Sequence, residues 1–114
     1  MSLPSRRQTS RLAPFLIACA VLCATPLPAW AKEHRVSIDN LKYSPKEIKV
    51  KKGDTVVWTN SDDRDHTVTA DDGSFNSKKM ASRDTYERKF AKAGNYKYHC
   101  DYHPRMKATV IVED

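Results

Sequence analysis

The chain reads as an all-β protein, a sandwich or a closed barrel, and three observations point there. Apolar residues recur with period two in short runs, turn residues separate those runs at regular spacing, and no segment carries a helical period over ten residues. Val36 and Ile38 form the first run, and Ile48 and Val50 the second, between Lys49 and Lys51. Gly53-Asp54 turns the chain into Thr55-Val56-Val57-Trp58-Thr59. His66, Val68 and Ala70 then share one parity, with Thr67 and Thr69 on the other. Residues 71–83 open on the turn signal Asp71-Asp72-Gly73 and are polar, which predicts a loop with room for one helical turn. Tyr86 and Phe90 mark the next strand and Ala93-Gly94-Asn95 the next turn. Tyr96, Tyr98 and Cys100 face one way and Lys97 and His99 the other, before Val110 and Val112 close the chain. Arg88 shares the parity of Tyr86 and Phe90, which fits an edge strand or a packed stem with its guanidinium in solvent.

The strand-bearing part starts late in the 114 residues. Arg6, Arg7 and Arg11 give a basic start, an apolar stretch runs from Leu12 to Leu27, and Ala29-Trp30-Ala31 is a small-x-small cleavage site. Together they predict a secretory signal peptide over residues 1–31, removed from a single domain over 32–114. The stretch is short for a membrane span and broken by Pro14, Pro26 and Pro28. Arg6-Arg7 hints at twin-arginine export, but Gln8 and Thr9 follow where an apolar residue would strengthen it. Leu16-Ile17-Ala18-Cys19 resembles a lipobox, although the later Ala-x-Ala site would then have no purpose. The expected location is the bacterial periplasm.

Removal of the leader changes the charge and the cysteine count. Lys and Arg fall from 20 to 17 against 14 acidic residues, leaving a net charge of +3 rather than +6. The remaining charges alternate in sign and carry no aromatic-basic motif, which argues against nucleic-acid binding. Cys19 and Cys23 leave with the leader, so Cys100 stands alone and forms no internal disulfide. A domain of 83 residues has a small core, and a bound metal is one of the staples such domains use.

Cys100, His103 and Met106 form the spacing C-x-x-H-x-x-M, and His66 begins an alternating segment upstream. Thiolate, two imidazoles and one thioether are the ligand set of a blue-copper centre, whose trigonal site with a weak axial Met suits both copper oxidation states. Taken singly, the Cys could be a small buried hydrophobe, Met106 a core residue and His66 a solvated one. Structural zinc favours more Cys or His and no Met. Haem attachment needs a second Cys. Cysteine hydrolysis needs an orienting partner for a Cys–His pair and a substrate pocket.

With these residues in view, the chain resembles a cupredoxin of the plastocyanin/amicyanin type. Tyr43-Ser44-Pro45, Ile48-Lys49-Val50 and Gly53 to Asn60 match the family's early strands. His66-Thr67-Val68 through Asp72-Gly73-Ser74-Phe75 resembles its first-ligand region, and Gly94 to Cys100 with His103-Pro104-x-Met106 its ligand loop, in the short amicyanin-like form. The likeness covers nearly all of residues 34–112. It implies a Greek-key β-sandwich of about seven to eight strands, and one type 1 copper held by His66, Cys100, His103 and Met106. Two departures stand out. Asp101-Tyr102 replaces the usual Thr-Pro between Cys and His, which puts a carboxylate beside the thiolate and predicts a lower potential than in a Thr-Pro relative. A rise in the potential of Asp101→Thr tests this. Thr67 stands where the family often has Asn, and its hydroxyl is expected to steady the ligand loop.

The resemblance implies an electron carrier and no enzyme. The chain would be a monomer without a membrane span that takes electrons from a dehydrogenase or c-type cytochrome and passes them on. His103 inherits the role of electron port, rimmed by Tyr102 and Pro104, with Arg105 placed to steer an acidic partner. His99 is a second, weaker port candidate. A basic set of Lys78, Lys79, Arg83, Arg88, Lys89 and Lys92 offers either a docking field or a solvated face. The alternative function is copper storage, delivery or resistance, a class that tends to use Met-rich or paired-Cys sites. Here the mature chain has only Met80 and Met106. Cleavage after Ala31 would also leave His34 third from a free amine, a possible square-planar Cu(II) site, although His34 more simply begins the first strand.

Overall fold

The computed structural model describes residues 31–114, so the expected leader lies, apart from Ala31, outside the described residues. Eight strands follow with no helix among them: β1 (Glu33–Asp39), β2 (Lys42–Ser44), β3 (Glu47–Lys51), β4 (Thr55–Asn60), β5 (Thr69–Ala70), β6 (Thr85–Lys89), β7 (Gly94–His99) and β8 (Lys107–Glu113). They form two four-stranded sheets, ordered β2-β1-β4-β6 and β3-β8-β7-β5. The sandwich is mixed, because β1 runs parallel to β4 and β3 parallel to β8.

Alternation sends one face of each strand inward. Val36 and Ile38 of β1, Val50 of β3, and Ala108, Val110 and Val112 of β8 are buried. Trp58 sits at the centre, with Tyr98 edge-on at 5.5 Å between ring centroids and Tyr86 tilted at 5.6 Å. Its indole N–H donates to the Tyr98 hydroxyl at 3.1 Å. Both side chains are fully buried, so this bond satisfies a donor that has no water to turn to. Burial also pushes the Tyr98 phenol well above its ordinary pKa. Truncating a Trp in such a position to Ala costs about 3–5 kcal/mol.

Arg88 lies on β6, the edge of its sheet, as one of the two sequence readings requires. Its guanidinium rests over the rings of Phe75 and Phe90, at 5.3 and 5.9 Å from their centroids, a cation–π arrangement in which the side chain is half-buried and its Nε has no hydrogen-bond partner among the described residues. The expected loop over 71–83 is a loop, without the helical turn. Its backbone instead pairs with residues 66–70: Ala70 N–H donates to Phe75 O, Ser77 N–H to Val68 O, and Val68 N–H to Ser77 Oγ. These pairings also explain why only Thr69–Ala70 of the alternating run is a regular strand. Thr69–Ala70 also pair with β7, whereas residues 66–68 have their partners in the loop.

At the pole where the chain enters the fold, buried Asp54 ties three segments together. It accepts the backbone N–H of Lys51 at 2.9 Å, that of Lys32 at 3.0 Å and the His34 ring at 2.8 Å. Burial pushes its carboxyl up, but these donors outweigh burial and hold it below the usual carboxylate range. The turn before it needs Gly53 at φ +92°, a left-handed conformation that L side chains rarely adopt. His34 is the second residue of β1 and is engaged with Asp54.

Candidate metal centre

Two loops at the opposite pole build the centre. In the first, Cys100 follows β7 with its side chain inward and fully buried. Its carbonyl accepts the His103 N–H at 3.3 Å, the His103 carbonyl accepts the Met106 N–H at 2.8 Å, and the Met106 carbonyl accepts the Cys100 N–H at 3.1 Å. These are two consecutive turns, each closed by a bond from residue i+3 to residue i. The two-residue gaps of C-x-x-H-x-x-M are therefore the interiors of two turns, and the three side chains stand at the turn ends.

The second loop carries His66 between β4 and β5. Its backbone exchanges bonds with Met80, His66 N–H to Met80 O at 3.1 Å and Met80 N–H to His66 O at 2.8 Å. Buried Asn60 at the end of β4 braces this loop. Its amide donates to the carbonyls of Arg64 and Met80, and its oxygen accepts the Asp62 N–H. The Asp62 carboxylate then lies 2.9 Å from His66 Nε2. That bond, aided by the backbone N–H groups of Leu41 and Asp63 against the opposing effect of burial, holds the Asp62 carboxyl below its usual range. A carboxylate on Nε2 keeps the proton there and leaves Nδ1 as a lone-pair donor aimed at Cys100.

Cys100 Sγ stands 3.8 Å from His66 Nδ1 and 3.6 Å from His103 Nδ1, and the three donor atoms lie within 4.8 Å of one another. Metal bonds of about 2.3 Å to sulfur and about 2.0 Å to nitrogen, at angles between tetrahedral and trigonal, separate S from N by roughly 3.5–3.8 Å. The donors therefore fit one first-row transition metal ion with the backbone as it stands. Thr67 N–H donates to Cys100 Sγ at 3.4 Å. Met106 is buried in the same loop, one turn beyond His103, and lines an apolar depression with Leu41, Tyr102, His103, Pro104 and Arg105. His66 is fully buried, whereas His103 is half-buried in that depression.

Thr67 acts as its position suggests. Its hydroxyl accepts the Asp101 N–H at 2.8 Å and lies 2.9 Å from Thr69 Oγ1, which in turn is 3.1 Å from Asp101 Oδ2. A carboxylate at the end of the chain fixes the direction of every proton. Asp101 N–H donates to Thr67, Thr67 to Thr69, and Thr69 to Asp101. The ring closes on the residue where it began. The Asp101 carboxylate thus faces Thr69 and His99, whose Nε2 is 3.1 Å away, because Asp101 keeps the outward parity of β7. His99 Nδ1 meets Asp71 on its other side at 2.6 Å.

Three residues that place the donors were missed in the sequence: Asn60, Asp62 and Leu41. Asn40 and Leu41 form the two-residue turn between β1 and β2, both left-handed, at φ 53° and 61°. The Leu41 N–H donates to Asp62 at 3.2 Å, and its side chain is 40% exposed, on the rim of the depression around His103. The expected basic set does not gather there as a whole. Lys89 pairs with Thr55 at the start of β4, five residues from Asn60 and so roughly 17 Å along the strand from the donors.

The sequence matches the family described as "Cupredoxin-like domain" over residues 12–112. It is 36% identical over 83 residues to an amicyanin of Paracoccus denitrificans, covering 68% of this chain and 63% of that protein. The chain thus spans a little under two thirds of that relative's length. To amicyanin-alpha of Methylorubrum extorquens it is 35% identical over 103 residues, covering 86% of this chain and 85% of that one. Among solved structures, an oxidised amicyanin variant superposes with a TM-score of 0.67 at 35% identity, over 70% of this chain and 81% of the other. A purple cupredoxin from Nitrosopumilus maritimus gives 0.66 at 31% identity, over 70% and 99%. Sheet order, donor geometry and these likenesses agree, and the chain belongs to the cupredoxin-like family.

Proposed function

We propose that this protein is an exported type 1 copper protein that carries single electrons between redox partners, with His66, Cys100, His103 and Met106 as ligands. The observation that supports this most is the asymmetry of the donor cluster. One imidazole is sealed in the core against Asp62, and the other stands half-exposed in an apolar depression next to the same sulfur. Bound copper would supply one-electron chemistry between Cu(I) and Cu(II). The chain's own part is to hold the donors. Asp62 orients His66, Thr67 N–H shares the charge of Cys100, the paired turns fix Cys100 to His103, and the buried walls keep water from the sulfur. A cradle fixed in this way has little to rearrange when charge arrives or leaves. His103 is the port, with Tyr102 and Pro104 as rim, and a dehydrogenase or c-type cytochrome is the partner class.

Optical and spin-resonance spectra of the copper-loaded protein test the reading. The expected result is an intense blue thiolate-to-copper band that bleaches and returns on reduction and oxidation. Colourless, readily exchanged copper would instead mean storage or delivery. Residues 1–31 are proposed as the export leader, and N-terminal sequencing of exported protein should begin at Lys32.

A further inference from the structure

Beside the apolar depression lies a second concavity of about 340 Å³, lined by Lys42, Lys46 and Lys107 and sharing Leu41, Arg105 and Met106 with the first. No carboxylate lines it. All four cations are exposed, and none forms an ion pair among the described residues. They reach this spot from different parts of the chain: Lys42 from β2, Lys46 from the segment before β3, Arg105 from the second turn of the ligand loop, and Lys107 from the start of β8. Elsewhere around the centre, charge is matched at close range, Asp62 with His66 and both Asp71 and Asp101 with His99. Asp39 stands across from Lys42 in the β1–β2 register and Glu47 follows Lys46, but neither closes an ion pair or lines the concavity, so the four cations leave a local positive potential next to an apolar surface that the net charge of the molecule does not describe.

We propose that this basic concavity and the apolar depression around His103 form one docking surface, and that its occupant is a redox protein whose contact face carries a carboxylate cluster beside an apolar centre. The inference rests on the electron-carrier reading and adds the partner's chemistry and its orientation. Carboxylates over Lys42, Lys46 and Lys107 would bring the apolar centre of the partner onto His103. Screening limits the effect to about 10 Å at 0.1 M salt, so the cluster acts on partners already close to this face. The basic residues Lys89 and Lys92, at the far pole, lie beyond that range.

Two variants with equal change of net charge test it. One carries Lys42→Gln, Lys46→Gln, Arg105→Gln and Lys107→Gln, and the other Lys49→Gln, Lys51→Gln, Lys89→Gln and Lys92→Gln. The readout is the second-order rate of electron exchange with an acidic c-type cytochrome. At low ionic strength the first variant should be slower by about tenfold or more and the second by less than about twofold, with both differences vanishing in about 1 M salt. An equal slowing of both would mean that net charge alone steers, and no slowing of either that nothing does; each overturns the proposal. If the fourfold variant fails to fold, Lys42→Gln with Lys46→Gln, both away from the ligand loop, should show a smaller loss of the same salt dependence. Chemical-shift mapping of the protein as isolated, titrated with the same cytochrome, reads the surface independently of electron transfer. Shifts centred on Lys42, Lys46 and Lys107 support the proposal even if the copper spectrum disproves the carrier reading, and shifts centred elsewhere, or none, overturn it.

Discussion

Thr67→Val isolates the ring that holds the ligand loop. Valine replaces the hydroxyl with a methyl of similar size, so packing around this buried residue is kept and the hydrogen bonds are lost. The Asp101 N–H loses its 2.8 Å acceptor, and Thr69 loses the donor that completes its own chain to Asp101. An unsatisfied buried donor costs about 1–3 kcal/mol, and the partly buried Asp101 amide belongs in the lower half of that range. Divided by a urea slope of about 1–2 kcal/mol/M for a small domain, the unfolding midpoint of the metal-free protein should fall by roughly 1 M. Amide exchange at Asp101 should accelerate with it, because the loop opens locally more often. Cys100 keeps the Thr67 backbone N–H, so blue copper should still form. A stability change within about 0.5 kcal/mol, the usual scatter of an inconsequential surface substitution, together with unchanged exchange at Asp101, would refute the idea that the ring braces the loop.

Asp62→Asn should weaken copper binding by about 10–100-fold, measured by competition with a copper chelator, because the carboxylate that fixes the His66 ring is gone. Tyr98→Phe removes the acceptor of the Trp58 indole and should cost about 1–2 kcal/mol, seen as a drop of roughly 5–15 °C in the melting temperature. Asp54 has its folded-state pKa below the unfolded value, so it contributes stability that is full above the unfolded pKa of about 3.9 and is lost as pH falls through the folded value. Asp54→Asn should therefore be less stable than wild type near neutrality, with the gap narrowing below about pH 4 in urea titrations.

Much of the framework could be read from the residues. Period-two alternation identified β1, β3, β4, β7 and β8, and the parity of Tyr96, Tyr98 and Cys100 aimed the thiol inward, as found. Periodicity did not reveal β2, because a three-residue edge strand with only Tyr43 facing inward has no period to count, and Tyr43-Ser44 was legible only from the family pattern. Of the site, Cys100, His103 and His66 were legible from donor chemistry, and Thr67 from the family pattern. Asp62 was not, because Ser61-Asp62-Asp63-Arg64-Asp65 looks like a solvated polar loop and the bond to His66 leaves no periodic trace. A carboxylate four residues before the candidate ligand His66 was the available signal. The direction of Asp101 could also have been inferred, since it shares strand parity with His99 and the two meet on the outer face.

The parallel pairings of β1 with β4 and β3 with β8 have an architectural consequence. Lys32 accepts a bond from Thr55 at the start of β4, and Glu113 accepts one from Lys52, so both ends of the domain leave from the pole that Asp54 organises. The donors and the apolar depression occupy the other pole, roughly 20 Å away along a six-residue strand. An affinity tag, a tether to an electrode or a fused domain attached at either end would therefore hold the molecule from behind and present His103 outward. A fusion through the Asn40-Leu41 turn would cover the same face. The fold thus separates the point of attachment from the pole that gathers the donor cluster, so the domain can be anchored with that pole left uncovered.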